Sequence, residues 1–216
     1  MSLRHAFFAL GVVLAAAVMP VAHAQEDSPV RWHIMGGINE PLGTSATYFN
    51  TGWNFGFGVT FRQPGSPLGI RLDFDYGTNN ASHQLLQLAS GAANTTITGG
   101  WANLWNMNVN LEARHLFGNV MYGYLIGGVG VAYTNIQLTQ YGYGYICDPW
   151  WGYCYVGSGQ SIVASNSSTN FTTNAGAGLA FRMQSGIELF VEGRYNWIYM
   201  SHGTFGYVPI LFGVRF

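Results

Sequence analysis

The amino-acid sequence predicts an all-β fold, an eight-stranded antiparallel transmembrane β-barrel, on three observations. Only 8% of the residues are charged, against about 25% in a typical soluble domain. Beyond the first two dozen residues, the chain has no unbroken run of the roughly 18 apolar residues that a membrane helix needs. Instead, apolar and polar residues alternate with a period of two in several segments, which is the pattern of barrel strands.

The first 24 residues have the features of a secretory leader. Arg4 and His5 form a short polar start, an apolar run covers residues 6–18, and Ala22-His23-Ala24 is a small-x-small cleavage site. We therefore expect a signal peptide over residues 1–24 and one barrel domain over residues 25–216. Removal of Arg4 leaves seven arginines, nine acids and no lysine, a formal charge of about −2, which excludes a basic nucleic-acid-binding protein.

The first four predicted strands each carry one apolar face. They span residues 31–39, 53–62, 70–76 and 103–114. The first places Trp32, Ile34 and Ile38 outward, and the second has aromatic residues or valine at every odd position. The third alternates isoleucine, leucine, phenylalanine and tyrosine with arginine and aspartate. In the fourth, large apolar residues interleave with asparagine, glutamate and arginine, so its facing is the clearest.

The last four predicted strands are less uniform. They span residues 121–133, 171–182, 187–198 and 207–216. The fifth is rich in glycine and its facing is ambiguous, whereas the sixth and seventh oppose apolar residues to asparagine, glutamate and arginine. The eighth has valine, isoleucine and phenylalanine at even positions and Arg215 at an odd one. Pro209 cannot donate to a ladder, so we expect it near a seam, a bulge or a strand end.

The gaps between these strands alternate in length. Those after the second, fourth and sixth strands are short and contain proline or glycine, which favour turns. Those after the first, third and fifth are long, and the longest lies near residues 135–170. Because outer-membrane barrels have short periplasmic turns and long external loops, we expect periplasmic termini and a location in the cell outer membrane of a Gram-negative-type bacterium.

Three segments resemble the outer-membrane β-barrel domain family, related to OmpA and OmpX. The sequence YLIGGVGVAY at residues 124–133 is similar to a strand of that family, and residues 191–195 and 212–216 are similar to its penultimate and terminal strands. The resemblance implies a barrel surrounded by outer-membrane lipid. It also implies that the barrel-assembly machinery recognises the last strand during insertion, with Val214 and Phe216 as the terminal insertion signal.

Nearly all charged residues of the mature chain fall on predicted inward faces. They are Arg31, Arg62, Arg71, Asp73, Asp75, Glu112, Arg114, Arg182, Glu188, Glu192, Arg194 and Arg215. A charge on the lipid face costs about 2–4 kcal/mol at the midplane, and an eight-stranded barrel is just wide enough for side chains to fill. We interpret these residues as a lumen network of salt bridges, since buried charges must pair. The alternative is a narrow ion or solute path lined by the same groups.

The two cysteines, Cys147 and Cys154, lie in the longest predicted external loop. An even number of cysteines in an exported chain favours a disulfide, and Pro149 and Gly152 can form the turn between them. A metal site is the weaker alternative because no third or fourth ligand is close in sequence. We expect a disulfide and no cofactor.

Aromatic residues surround these cysteines. We expect a loop contact surface for an extracellular partner formed by Tyr145, Trp150, Trp151, Tyr153 and Tyr155, since rigid aromatic side chains are common at interfaces. The alternative is that these rings pack on each other over the barrel mouth. The long loops contain no lysine or arginine, which argues against electrostatic capture of polyanions there.

Other aromatic residues lie near the strand ends. They are Trp32, Trp53, Trp101, Trp105, Tyr195, Trp197 and Phe216. Amphipathic rings favour the headgroup level of a membrane, so we expect them to form interface girdles. A stacking site for sugars is the alternative.

Two adjacent serine–histidine pairs, Ser82-His83 and Ser201-His202, raise the possibility of a hydrolase. Lipid A deacylases of the outer membrane use a histidine and a serine near the outer rim. Here the order His-x-Ser is absent, and no third group orients either histidine. We therefore expect a non-enzymatic protein with a structural or surface-interaction role through its external loops. The alternatives are a narrow channel for small solutes or apolar compounds, and an outer-membrane lipid hydrolase.

Overall fold

A computed structural model describes residues 28–118, 120–147, 152–201 and 203–216. The elements in chain order are β1 (Val30–Leu42), α1 (Thr44–Tyr48), β2 (Gly52–Phe61), β3 (Leu68–Asn80), α2 (His83–Ala93), β4 (Gly99–Leu116), β5 (Met121–Cys147), β6 (Cys154–Arg182), β7 (Glu188–Met200) and β8 (Gly203–Arg215). The expected signal peptide lies outside the described residues. No helix of the described segments is long and apolar enough to cross a membrane.

The eight strands form a closed antiparallel ring in which each strand pairs with its neighbours in sequence. β1 pairs with β8 from His33 opposite Arg215 to Leu42 opposite Gly206, so the predicted closure of first strand onto last is confirmed. Pro209 lies in this seam opposite Asn39. The ladder between β7 and β8 is interrupted at the same level, in keeping with the missing backbone donor of proline.

Side chains alternate between the outside of the barrel and its interior. Along β4, Trp105, Met107 and Val109 are 43–59% exposed, whereas Asn106 and Asn108 are buried. The outward residues meet hydrocarbon, and the inward residues meet one another, as the period of two requires.

An outward aromatic row crosses four neighbouring strands towards the end of the barrel that carries the long loops. Phe55 lies opposite Tyr76, Tyr76 opposite Trp105, and Trp105 opposite Tyr133. The rings of Tyr76 and Trp105 are 4.4 Å apart between centroids. Such rings suit the interface between hydrocarbon and headgroups.

β5 and β6 continue far beyond the predicted strands, through most of the segment that the sequence predicts as a gap. Residues 140–147 of β5 pair with residues 154–161 of β6, and these two stretches are here termed the ribbon. Most of the ribbon's side chains that the structure describes are exposed. Tyrosine alternates with glycine at residues 141–145, but the ribbon has no charged face opposite an apolar one, so the pattern that identifies the barrel strands does not identify these.

The loop end of the barrel is filled by an apolar cluster, here termed the outer plug. Its members are Phe49, Ala102, Leu104, Ala132, Ile198, Phe205 and Tyr207. Phe49 follows the short helix α1 and packs edge-on against Phe205, 5.5 Å between ring centroids. Ser45 of α1 accepts a hydrogen bond from the backbone N–H of Gly206 at 3.0 Å, which ties the helix to β8.

Candidate functional site

The centre of the lumen holds a compact group of opposite charges, and Arg71 is its fully buried hub. Arg71 Nε lies 2.8 Å from Asp73 Oδ1, and Arg71 Nη1 lies 2.8 Å from Glu192 Oε2. Arg194 pairs with the same two acids, with Nη1 2.8 Å from Asp73 Oδ2. His33 Nε2 is also 2.7 Å from Asp73 Oδ1. Each carboxylate is therefore shared between two guanidinium groups.

A second group lies towards the short turns and is organised by Glu112. Arg62 Nη2 lies 2.5 Å from Glu112 Oε1, and Arg215 Nη2 lies 2.9 Å from Glu112 Oε2. A longer contact of 3.5 Å joins Glu112 to Arg71 Nη1. Glu112 thus links the two groups into one network along the barrel axis.

Glu188 completes the group at the turn end. Its carboxylate is 2.8 Å from Arg31 Nη1, 3.2 Å from Arg182 Nη2 and 3.7 Å from Arg215 Nη1. The hydroxyl of Tyr122 donates a hydrogen bond to Glu188 and accepts one from Arg215 at 2.9 Å. The tyrosine therefore bridges an acid and a base, in keeping with the rule that buried polar groups find partners.

Two of the twelve predicted lumen charges stand apart from these ion pairs. Asp75 makes no ion pair within the described chain and accepts hydrogen bonds from Asn54 at 3.1 Å and Asn106 at 3.2 Å. Arg114 makes no ion pair with any described carboxylate, and its guanidinium lies 5.9 Å from the ring centroid of Tyr122.

Several interior residues were not predicted as part of the network. Tyr124 donates to Glu192 at 2.7 Å, and Asn110 donates to Asp73 Oδ2 at 2.8 Å. A β-carbon at Gly178 would collide with the ring of Tyr124, so the absence of a side chain there makes room for that ring. The inward residues of β5 have even numbers, which could have identified Tyr124 as an interior residue. Apolar residues and glycines occur on both faces of β5, so the two faces cannot be told apart from sequence.

The ribbon ends in the predicted disulfide, which is confirmed between Cys147 and Cys154. Tyr153 beside it is exposed. Trp150 and Trp151 lie outside the described residues, as do the side chains of Tyr145 and Tyr155. The loop contact surface therefore stays a prediction.

One edge of β6, here termed the β6 edge, pairs with no other described strand over residues 154–170. β6 pairs with β5 along this stretch, but its pairing with β7 begins only at Phe171. The edge covers roughly 55 Å of extended strand and contains neither a charged residue nor a proline. A register shift opposite Leu138 and Thr139 is its one irregularity.

The serine–histidine pairs have different surroundings. Ser82 is the N-cap of α2: its Oγ accepts from the Leu85 N–H at 3.2 Å and donates to the Thr47 carbonyl at 2.6 Å. This hydroxyl is therefore engaged in holding a helix start. His202 lies outside the described residues. Within the described part of the chain, no three histidines, cysteines or acids are grouped to hold a metal ion.

The chain terminus lies against β1. The backbone N–H and C=O of Phe216 each pair with those of Trp32 at 2.9 Å, and the Phe216 ring is exposed. The role of Val214 and Phe216 as an insertion signal stays a prediction.

A closed ring of eight antiparallel strands, apolar outside and ion-paired inside, defines an integral β-barrel protein of the cell outer membrane. The chain belongs to the outer membrane protein beta-barrel domain family, whose sequence model matches residues 11–215. No curated protein is significantly similar to the chain in sequence.

Three solved outer-membrane protein structures are similar to this chain at low sequence identity. A major outer membrane protein from Thermus thermophilus is similar over 88% of this chain and 99% of its own, with 12% identity and a TM-score of 0.53. Ail, the attachment invasion locus protein of Yersinia pestis, in complex with sucrose octasulfate, is similar over 88% and 100%, with 12% identity and a TM-score of 0.49. The N-terminal barrel domain of Pseudomonas aeruginosa OprF is similar over 88% and 99%, with 12% identity and a TM-score of 0.42.

Proposed function

We propose that this outer-membrane protein is a filled, non-enzymatic barrel that presents the β6 edge to an extracellular partner in an extended conformation. The single observation that carries this proposal is the unpaired edge at residues 154–170. The barrel supplies a rigid base for the strand, and the disulfide between Cys147 and Cys154 closes the tip of the ribbon.

The chemistry of the edge favours strand addition. An unpaired strand presents a row of backbone donors and acceptors, and natural proteins usually protect such a row with lysine, proline or a covering element. The β6 edge has no lysine or proline, and its only disruption is the register shift near Thr139. An added strand would gain main-chain hydrogen bonds here, while side chains on alternate positions would set its specificity.

The filled lumen supports a display role over transport. Arg71, Asp73 and Glu192 meet in the barrel interior and are buried. The gaps left by interior glycines are occupied, since Tyr124 lies over Gly178 and Phe190 over Gly213. We therefore expect the protein in a planar bilayer to conduct no more than the bilayer alone; stable conductance steps that persist in purified protein would favour the channel alternative.

The proposal is tested by adding charge to the edge. Ser165 and Ser167 are exposed on β6, and the double variant S165K/S167K places two lysines on the edge. Binding of a short fluorescent peptide of alternating threonine and valine to the protein in vesicles is measured by anisotropy. We expect at least about tenfold weaker binding in the variant, because edge lysines disfavour strand addition.

The matched control is Q84K/Q87K, which adds the same charge to the exposed face of α2 on the same side of the barrel. Its affinity for the peptide should equal that of the wild type. Equal affinities in S165K/S167K and in the control, or no peptide binding to the wild type, would refute strand addition at the β6 edge.

Ser82 does not favour the hydrolase alternative, because its hydroxyl is used in capping α2. For the second pair, we expect S201A and H202A to leave any lipid hydrolysis by the purified protein unchanged. A loss of hydrolysis in either variant, with the barrel still folded, would restore an enzymatic function.

A further inference from the structure

The turn end of the lumen opens into a small recess that is lined by arginine. Five of these side chains surround it: Arg31, Arg62, Arg114, Arg182 and Arg215. The recess encloses about 80 Å³, and no carboxylate of the described residues lines it. Glu112 and Glu188, which pair with four of these arginines, are fully buried behind them.

The positive charge around this recess is not balanced by the described residues. Five guanidinium groups face two carboxylates, an excess of three positive charges. Arg114 makes no ion pair within the described chain and is only half-buried. The Nε atoms of Arg62 and Arg215 are buried and have no hydrogen-bond partner among the described residues. Uncompensated charge and unpaired donors in a partly enclosed site are destabilising unless an anion accompanies them.

We propose that this recess is a binding site for a small oxyanion of the phosphate class, carrying two or more negative charges. A guanidinium group presents donors in a planar fork that matches the oxygens of phosphate and carboxylate. Arg114 is the residue free to take up the ligand, and the buried Arg215 lies at its floor. The site opens on the side of the short turns, so the anion enters from the periplasm. This site lies at the opposite end of the barrel from the β6 edge and does not depend on its function.

The oxyanion has two possible sources. One is a free phosphate-class anion of the periplasm. The other is the chain itself, because Glu26 and Asp27 directly precede Ser28, which lines the recess. Carboxylates one or two residues away in sequence would compete with a free anion for the recess at a high effective concentration. Removing these two charges therefore distinguishes the two sources.

The test uses the full mature chain folded in uncharged detergent micelles, titrated with inorganic phosphate by calorimetry against sodium chloride of equal ionic strength. We expect saturable binding with one site per chain. R114Q should bind at least about tenfold more weakly, since a hydrogen bond between charged groups is lost. Q87E is the matched control: it makes the same change in formal charge on exposed α2 at the other end and should bind like the wild type.

A further variant, E26Q/D27N, identifies the source of the anion. Tighter phosphate binding in E26Q/D27N than in the wild type means that the chain's own carboxylates compete with phosphate for the site. Equal binding means that the ligand of the recess is a free anion. Both outcomes support the site. Gel migration before and after boiling confirms that R114Q is folded. No saturable binding in either the wild type or E26Q/D27N, or equal binding in folded R114Q, would overturn the proposal.

Discussion

β5 and β6 pass through two regions of the molecule that differ in almost every physical respect. Within the barrel, each of these strands has two neighbours, one face against lipid and one face in a packed lumen. In the ribbon, the same two strands pair only with each other, and most of the side chains described there are exposed. Inside the barrel, charges are enclosed and shared, whereas the described ribbon carries none.

The two regions are held together by different interactions. The barrel depends on enclosed ion pairs that lose their compensation if one member is removed. The ribbon depends on a single ladder and a disulfide at its tip. We therefore expect substitutions in the ribbon to alter its contacts without unfolding the barrel.

The largest effect is expected from D73N. Asp73 contacts Arg71, Arg194 and His33, so its neutralisation leaves two buried arginines short of a counter-charge. We expect the free energy of unfolding to fall by about 3–5 kcal/mol, measured by urea unfolding in vesicles with tryptophan fluorescence. E40Q, which removes an exposed acid at the loop end, should stay within about 0.5 kcal/mol of the wild type. Similar losses in the two variants would contradict a special role for the central group.

A double-mutant cycle on Arg71 and Glu192 should show strong coupling, because these side chains are fully buried and 2.8 Å apart. We expect R71M/E192L to be more stable than the sum of the single variants predicts, by about 0.5–3 kcal/mol. The same urea unfolding curves give the coupling energy. Additive losses of unfolding free energy would mean that Arg71 and Glu192 are not coupled, because the other partners of each residue compensate for the missing one.

A smaller effect is expected in the aromatic row. The Trp105 ring packs against Tyr76 at 4.4 Å. We expect W105A to lower the free energy of unfolding by about 0.5–1.5 kcal/mol more than the loss of buried apolar area alone would. The ribbon counterpart is Y143A, since Tyr143 is 89% exposed, and this variant should leave the unfolding curve unchanged. A destabilised Y143A would show that the ribbon is packed against the barrel.

The smallest effect on barrel stability is expected from C147S/C154S. Loss of the disulfide should leave the free energy of barrel unfolding within about 0.5 kcal/mol, since the bond closes only the tip of the ribbon. Limited proteolysis from the external side should nevertheless cleave the ribbon faster than in the wild type. A fall of several kcal/mol in the free energy of barrel unfolding in this variant would show that the stability of the barrel depends on the ribbon.

The fold was predictable because the barrel imposes a strict chemical difference between its two faces. Met107 and Glu112 could be placed outside and inside from sequence because hydrocarbon excludes charge and a narrow lumen requires partners. The partners themselves could not be predicted, since pairing depends on the stagger between strands. Asp75 is satisfied by amides and Arg114 stands apart from the ion pairs, although both share the alternation of the paired residues.

The ribbon and the interior tyrosines were not predicted from the sequence, for different reasons. In residues 140–147 tyrosine alternates only with glycine, so no contrast between an apolar and a charged face marks them as a strand. Tyr122 and Tyr124 lie in a strand that is apolar or glycine on both faces, so their inward direction had no contrasting neighbour. Helix α1 was missed because it has only five residues, too few for a period to show.

The outer plug has a consequence for the order of folding. It joins Phe49, which precedes β2, to Phe205 and Tyr207 on the final strand. Contacts between such distant parts of a chain form late, because the entropy of closing a long loop must be lost before the contacts can stabilise the fold. The plug is thus completed only when the eighth strand pairs with the first, so we expect closure of the ring and packing of the plug to occur together.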